Sequence, residues 1–185
     1  MGEIEDAIER ADREAFTREP PKTLKAQIGY LIRQLGSAKA VAREIGVTAD
    51  SVNRYRRGAR RHARADVAAR IDEAVRRRWQ PQVRRRRRRQ AATTGGITVE
   101  TRARFGYTAP VGTTDDGRFR RLTVHLPPDY ARRLFEAREA GAGDRQLRGI
   151  IAEGFKEVYF QDGGGRAADL SDVAINDIDY LDLGY

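Results

Sequence analysis

The sequence predicts an α+β protein: an N-terminal all-helical domain, a basic linker, a small strand/helix/helix domain and an acidic tail. Three observations predict it. Apolar residues recur at helical spacing up to about Arg78. Strand-type alternation first appears beyond Gly96. Between the two lie six consecutive arginines, Arg84 to Arg89, and then Gln90 to Gly96, with no apolar face to bury. The expected divisions are 1–80 for the helical domain, 81–96 for the linker, 97–161 for the α+β domain and 162–185 for a flexible tail.

The elements follow in order. Ile4, Ala7, Ile8, Ala11 and Ala15 form the stripe of an opening amphipathic helix, stopped by Pro20 and Pro21. Thr23 caps a second helix with the stripe Leu24, Ile28, Leu31, Ile32 and Leu35; Gly36 ends it and Ser37 starts the next. Val67, Ile71 and Val75 mark a later helix reaching about Arg78. Strands are expected around Ile97–Arg104 and at Phe119–Leu126, then helices at about Asp129–Ala140 and Asp144–Phe160, separated by Gly141 and Gly143. The tail, Asp162 to Tyr185, carries six aspartates against Arg166 alone, and Gly163 to Gly165 start it.

Composition narrows the chemistry. The chain of 185 residues has no cysteine, which excludes disulfides and thiolate zinc sites. His62 and His125 lie far apart and neither stands in a ligand-spaced cluster, so no cofactor is expected on the chain itself. No apolar run approaches the ~18 residues of a membrane span. Met1 to Asp12 is acidic and amphipathic, unlike a signal peptide, so a cytoplasmic setting is expected. The net charge is +9, and only four of the 36 basic residues are lysines. Arginine suits phosphates and guanine edges, although GC-rich codon usage would also enrich it. Where the arginines sit is therefore more informative than their number.

Ala38–Arg57 has the spacing of a helix-turn-helix. With Gly46 at the turn, Val41, Ala42 and Ile45 precede it and Val47, Val52 and Tyr55 follow at the positions that must be buried. Thr48 is placed to cap the second helix. Its exposed face would then carry Thr48, Asp50, Ser51, Asn53, Arg54 and Arg57. Asn53 suits adenine, and Arg54 or Arg57 suits guanine or phosphate, so DNA binding is expected. From Arg54 to Arg89 sixteen arginines stand against Asp66, Asp72 and Glu73. Arg60, Arg61 and Arg84, Arg85, Arg86, Arg87, Arg88 and Arg89 are the expected phosphate contacts, with affinity falling steeply in salt.

In the second half, Leu122, Val124 and Leu126 fall on one strand face and Arg121, Thr123 and His125 on the other. Strand, helix, glycine turn and helix resemble a ribbon-helix-helix, whose strand pairs with a second subunit and sets its polar face into the major groove. That would make the protein a homodimer with Arg121 and Thr123 on DNA. The alternative is pairing within the chain, with the strand around Ile97–Arg104. Between the two strands, Ala109 to Gly117 has the composition of an exposed loop carrying Thr113, Thr114, Asp115 and Asp116.

The ordering of an acidic helix, a helix-turn-helix, an arginine-rich stretch, the Thr113-Thr114-Asp115-Asp116-Gly117 loop and an acidic tail resembles the telomere terminal proteins of linear Streptomyces chromosomes and plasmids. The resemblance covers essentially the whole chain. It implies a protein bound covalently to the 5′ ends of linear DNA, which primes the synthesis that fills those ends. It places the nucleotide-accepting hydroxyl on Thr114, with Thr113 as the rival. It implies as partners the single- and double-stranded DNA of chromosome ends, a telomere-recognising recruitment protein, and a DNA polymerase that brings the divalent metal and the deoxynucleotide. The chain would be primer and product rather than enzyme, associated with the nucleoid at DNA ends. The competing expectation is a sequence-specific dimeric regulator or partition protein with no covalent chemistry. Charge alone also suggests that the acidic tail binds the basic region in cis, while Val173 and Ile175 leave a docking role open.

Overall fold

The protein is α+β. The computed structural model describes residues 2–108, 119–165 and 170–185. The chain forms two compact units, Phe16–Pro81 and Met1–Ala15 together with Gln82–Tyr185. It therefore opens with α1 (Glu3–Glu14), leaves for the inserted unit, and returns at Gln82.

The inserted unit holds α2 (Leu24–Leu35), α3 (Ala38–Ile45), α4 (Ala49–Arg57) and α5 (Ala65–Arg78). Side-chain oxygens of Thr23, Ser37 and Thr48 cap the first three by accepting from the amides of Ala26, Ala40 and Ser51. Ile28, Leu31, Val41, Ile45, Val52, Ile71 and Val75 are fully buried and form the core. The ends of the insertion are tied together. The Thr17 amide donates to Gln80 Oε1 at 2.9 Å and Gln80 Nε2 donates to Thr17 Oγ1 at 2.9 Å. Trp79 Nε1 donates to the Arg18 carbonyl at 2.8 Å.

The second unit is a three-stranded antiparallel sheet with helices on one face. Its strands are β1 (Ile97–Thr108), β2 (Phe119–Leu126) and β3 (Asp172–Gly184), in the order β2-β1-β3. With α1, the helices α7 (Pro128–Glu139) and α8 (Asp144–Phe155) cover the face that carries Val99, Ala103, Phe105, Val124, Leu126, Leu181 and Leu183. Gly154 in α8 lets that helix close onto β2. A Cβ there would stand 2.7 Å from Leu126 Cδ1 and 3.2 Å from Tyr130 Cδ1.

Three expectations are corrected, and one left open is decided. The opening helix α1 belongs to the sheet unit and not to a helical domain 1–80, because Ile4 and Ile8 are fully buried in the sheet's core. The segment 81–96 is no extended linker: it is α6 (Pro81–Gln90) followed by a π-helical turn, Ala91–Gly95. Its like charges are tolerated in a helix because α1 supplies carboxylates to one face, as described below. The acidic segment 162–185 is not a flexible tail throughout. Its residues Val173, Ile175, Leu181 and Leu183 are buried at alternate positions in β3, each removing apolar surface from water. For β2 the sequence leaves two pairings open, with a second subunit or with the earlier strand, and β2 stands at the edge of the sheet. It pairs within the chain, from Ile97↔Leu126 to Arg104↔Phe119.

Candidate nucleic-acid interface

The helix pair α3–α4 falls where the spacing puts it. Gly46 sits at φ 66°, ψ 44°, a left-handed conformation that glycine adopts without a Cβ penalty, and so turns the chain between the helices. Val41, Ala42, Ile45, Val52 and Tyr55 are buried beneath. On the outer side of α4, Arg54 and Arg57 are exposed and Asn53 is half-buried. Asp50 pairs with Arg54 at 2.9 Å across one turn, which holds the guanidinium against the helix until a stronger anion competes for it. Arg57 has no ion-pair partner among the described residues. Thr48 and Ser51 serve the helix cap. The Thr48 oxygen accepts from the Ser51 amide at 3.2 Å and lies 3.0 Å from the Ser51 hydroxyl, so one of the two hydroxyl protons is used within the cap and the other is left to donate elsewhere.

Beyond Gly58, Arg60 and Arg61 are exposed and have no carboxylate partner among the described residues. The arginines of α5 differ. Arg70 pairs with Asp66, Arg76 with Asp72, and both Arg77 and Arg78 with Glu44. Between Arg54 and Arg78 the arginines without a carboxylate partner among the described residues are thus Arg56, Arg57, Arg60 and Arg61, at and just beyond the end of α4.

The arginine run of α6 is split by its own helical period. Arg84 and Arg88, one turn apart, face α1. Arg84 Nε donates to Asp12 Oδ2 at 2.9 Å and its Nη2 reaches Glu9 Oε2 at 2.5 Å. Arg88 Nε donates to Asp12 Oδ1 at 3.2 Å, and its Nη2 also bonds that carboxylate. Arg138 of α7 closes on Glu9, and the Tyr185 hydroxyl donates to Asp12 Oδ1 at 2.7 Å. Asp12 is wholly buried and Arg84 is 8 % exposed. Arg84 and Arg88 are therefore structural cations rather than phosphate contacts, because their donors are committed to buried carboxylates. Arg85, Arg86, Arg87 and Arg89 are exposed and have no carboxylate partner among the described residues. The signal in the sequence was the placing of Glu9 and Asp12 three residues apart on α1, matched by arginines four apart on α6.

Arg121 and Thr123 lie on the open face of the sheet, both exposed. Arg121 Nη2 donates to Glu100 Oε1 at 2.7 Å and the Tyr180 hydroxyl donates to the same oxygen at 2.9 Å. The Arg121 hydrogen bond, and after it that of Tyr180, hold the Glu100 carboxyl below the usual range. Arg102 and Arg104 pair with Asp179 and Asp177 of β3. This face is charge-matched, and the acidic strand pairs with β1. His125 Nδ1 lies 3.1 Å from the Thr98 hydroxyl, a strand-surface contact.

Thr113 and Thr114, with Asp115 and Asp116, lie outside the described residues. The described chain on either side is β1, which ends at Thr108, and β2, which starts at Phe119. Among the described residues no helix is long and apolar enough to cross a membrane. No protein-family model, no curated protein and no solved structure matches the chain.

Proposed function

We propose that this is a DNA-binding terminal protein: it grips DNA with α4 and its basic extension, and it accepts a deoxynucleotide on Thr114 to prime synthesis at the ends of linear replicons. One observation supports the DNA-binding part above all others. A capped helix reached through a left-handed glycine turn exposes Arg54 and Arg57 beside Asn53, and four arginines without carboxylate partners among the described residues cluster at its end. Base edges would be read by Asn53 and Arg54, and phosphates held by Arg57, Arg60 and Arg61.

The covalent part rests on the resemblance to the telomere terminal proteins, carried by the order of segments and the Thr113-Thr114-Asp115-Asp116-Gly117 text. In that chemistry the Thr114 hydroxyl oxygen attacks the α-phosphorus of a deoxynucleoside triphosphate. A phosphodiester bond to the threonine forms, pyrophosphate leaves, and the hydroxyl proton passes to solvent. The metal ions of the polymerase make the hydroxyl easier to deprotonate, so no base is required beside it on this chain. The new 3′-OH then extends as an ordinary primer terminus.

The test against a regulator is the fate of the complex in denaturant. The protein is incubated with a DNA polymerase, a telomeric template, the recruitment protein and deoxynucleotides, then denatured in high salt. DNA that remains attached supports the terminal-protein reading; complete release, with DNA binding intact beforehand, leaves the regulator.

A further inference from the structure

We infer that a groove on the unit Phe16–Pro81 binds a nucleotide, with the phosphate on Lys25, Arg33 and Arg56 and the base against Trp79; the nucleotide is either free or the unpaired end of a DNA strand. The strand-end source rests on the DNA-binding reading above, and the free-nucleotide source does not.

The groove is open to solvent, measures about 520 Å³ and runs along α2 from Lys25 to Arg33, between Arg56 of α4 and Trp79. That is the size of a small-ligand site. Among the described residues its wall contains three cations and no carboxylate. Lys25, Arg33 and Arg56 have no ion-pair partner among the described residues, whereas Arg54, Arg70, Arg76, Arg77 and Arg78 of the same unit all have one. Three cations gathered without counter-charge repel one another, and an anion bound among them removes that penalty.

The aromatic wall is held in place. Trp79 Nε1 is satisfied by the Arg18 carbonyl, and the Tyr30 ring packs 5.1 Å away, edge to face. What the half-buried indole offers a ligand is therefore apolar ring surface, which stacks on any base. A phosphate-binding set of cations beside an aromatic surface is the chemistry of a nucleotide rather than of a simple anion.

Gly29 is an independent indication. It lies inside α2, where glycine weakens a helix relative to alanine. No tight packing requires it, since the nearest atom to an added Cβ would be Arg33 Nη1 at 3.7 Å. It lines the groove, and its missing side chain keeps the wall open. A second groove, of about 380 Å³, shares Thr23 and Lys25 with the first and runs past Arg60 and Arg61. Cations thus continue from the end of α4 to Trp79, a path that a strand leaving a duplex would follow.

Trp79 is the only tryptophan in the chain, so its emission reports on this groove alone. The full-length protein is titrated with deoxythymidine triphosphate and, separately, with a short 5′-phosphorylated oligothymidylate. A saturable change in emission is expected. Its midpoint should move about tenfold or more to higher concentration in Lys25→Ala/Arg33→Ala, which removes two charge-assisted contacts, and in Gly29→Leu, which fills the groove. A response to the mononucleotide assigns the free source, and a response to the oligonucleotide alone assigns the strand end. No saturable change with either probe, or a change that survives both variants, overturns the inference. Anisotropy of a labelled duplex, read alongside, follows α4 separately: lost duplex binding with an intact Trp79 response would sink the DNA-binding reading and keep the groove.

Discussion

Arg84 Nε donates to the carboxylate of Asp12 at 2.9 Å, and both residues are buried although they stand 72 positions apart. This contact, with Glu9, Arg88, Arg138 and Tyr185 around it, ties the first helix of the chain to its arginine helix and to its last residue. Removing one member strips neutralising contacts from a desolvated site: without Asp12, Arg88 loses its carboxylate, and without Arg84, Asp12 is left with Arg88 and Tyr185 and Glu9 with Arg138. Asp12→Ala or Arg84→Ala should lower the unfolding free energy by about 3–5 kcal/mol, measured by urea denaturation. Arg86→Ala, on the exposed side of the same helix, should change it by no more than about 0.5 kcal/mol. Equal effects at the two positions would show that the arginines of α6 are not divided in this way.

The exposed set gives the complementary result in binding. Replacing Arg85, Arg86, Arg87 and Arg89 together with alanine should leave stability intact and reduce the salt dependence of duplex binding. The slope of log K against log salt should fall by about 0.9 for each arginine that sits on a phosphate. An unchanged slope would remove α6 from the interface.

The face of α4 should separate specificity from affinity. Asn53→Ala or Arg54→Ala is expected to cost about 1–3 kcal/mol against the preferred sequence and much less against random duplex, compared by competition binding. Arg57→Ala should weaken both alike. If Asn53→Ala left the preference untouched, α4 would not be the reader.

Alkaline pH tests the buried network from another side. Burial, and then the neighbouring Asp12 carboxylate, raise the Tyr185 phenol well above its ordinary range. The unfolded chain releases that proton near about pH 10, while the folded chain keeps it. The contribution to stability is therefore full below about pH 10 and declines as pH rises further, by up to about 1.4 kcal/mol per pH unit. Tyr185→Phe should flatten the fall in thermal stability above that pH; an identical profile would mean that the phenol is not held by Asp12.

Sequence legibility followed the range of the forces involved. The unit Phe16–Pro81 was readable almost residue by residue, because its caps, its Gly46 turn and its apolar steps act within one or two turns of helix. The second unit was readable in its strands and helices but not in its boundaries. Periodicity showed that α1 was amphipathic and gave no sign of what covered it; the partner was a strand at the other end of the chain. A run of arginines with no apolar face reads as solvated unless the acids that neutralise it are found, and Glu9 and Asp12 lie 75 and 72 positions from Arg84. In the same way, Leu181 and Leu183 alternate as Val173 and Ile175 do, but the aspartates between them outweighed that pattern. At the interface, sequence placed Arg54 and Arg57 on the outside of α4, while the commitment of Thr48 and Ser51 to the cap needed the distances.

The most direct measurement is transfer of one radiolabelled deoxynucleotide to the protein by a DNA polymerase, on a telomeric template with the recruitment protein present, read on a denaturing gel. The terminal-protein account predicts label on the wild-type chain, none on Thr114→Ala, and label retained on Thr113→Ala. Loss in Thr113→Ala alone would keep the function and move the acceptor by one residue. Absence of label on the wild-type chain, under conditions where it still binds DNA, would contradict the account.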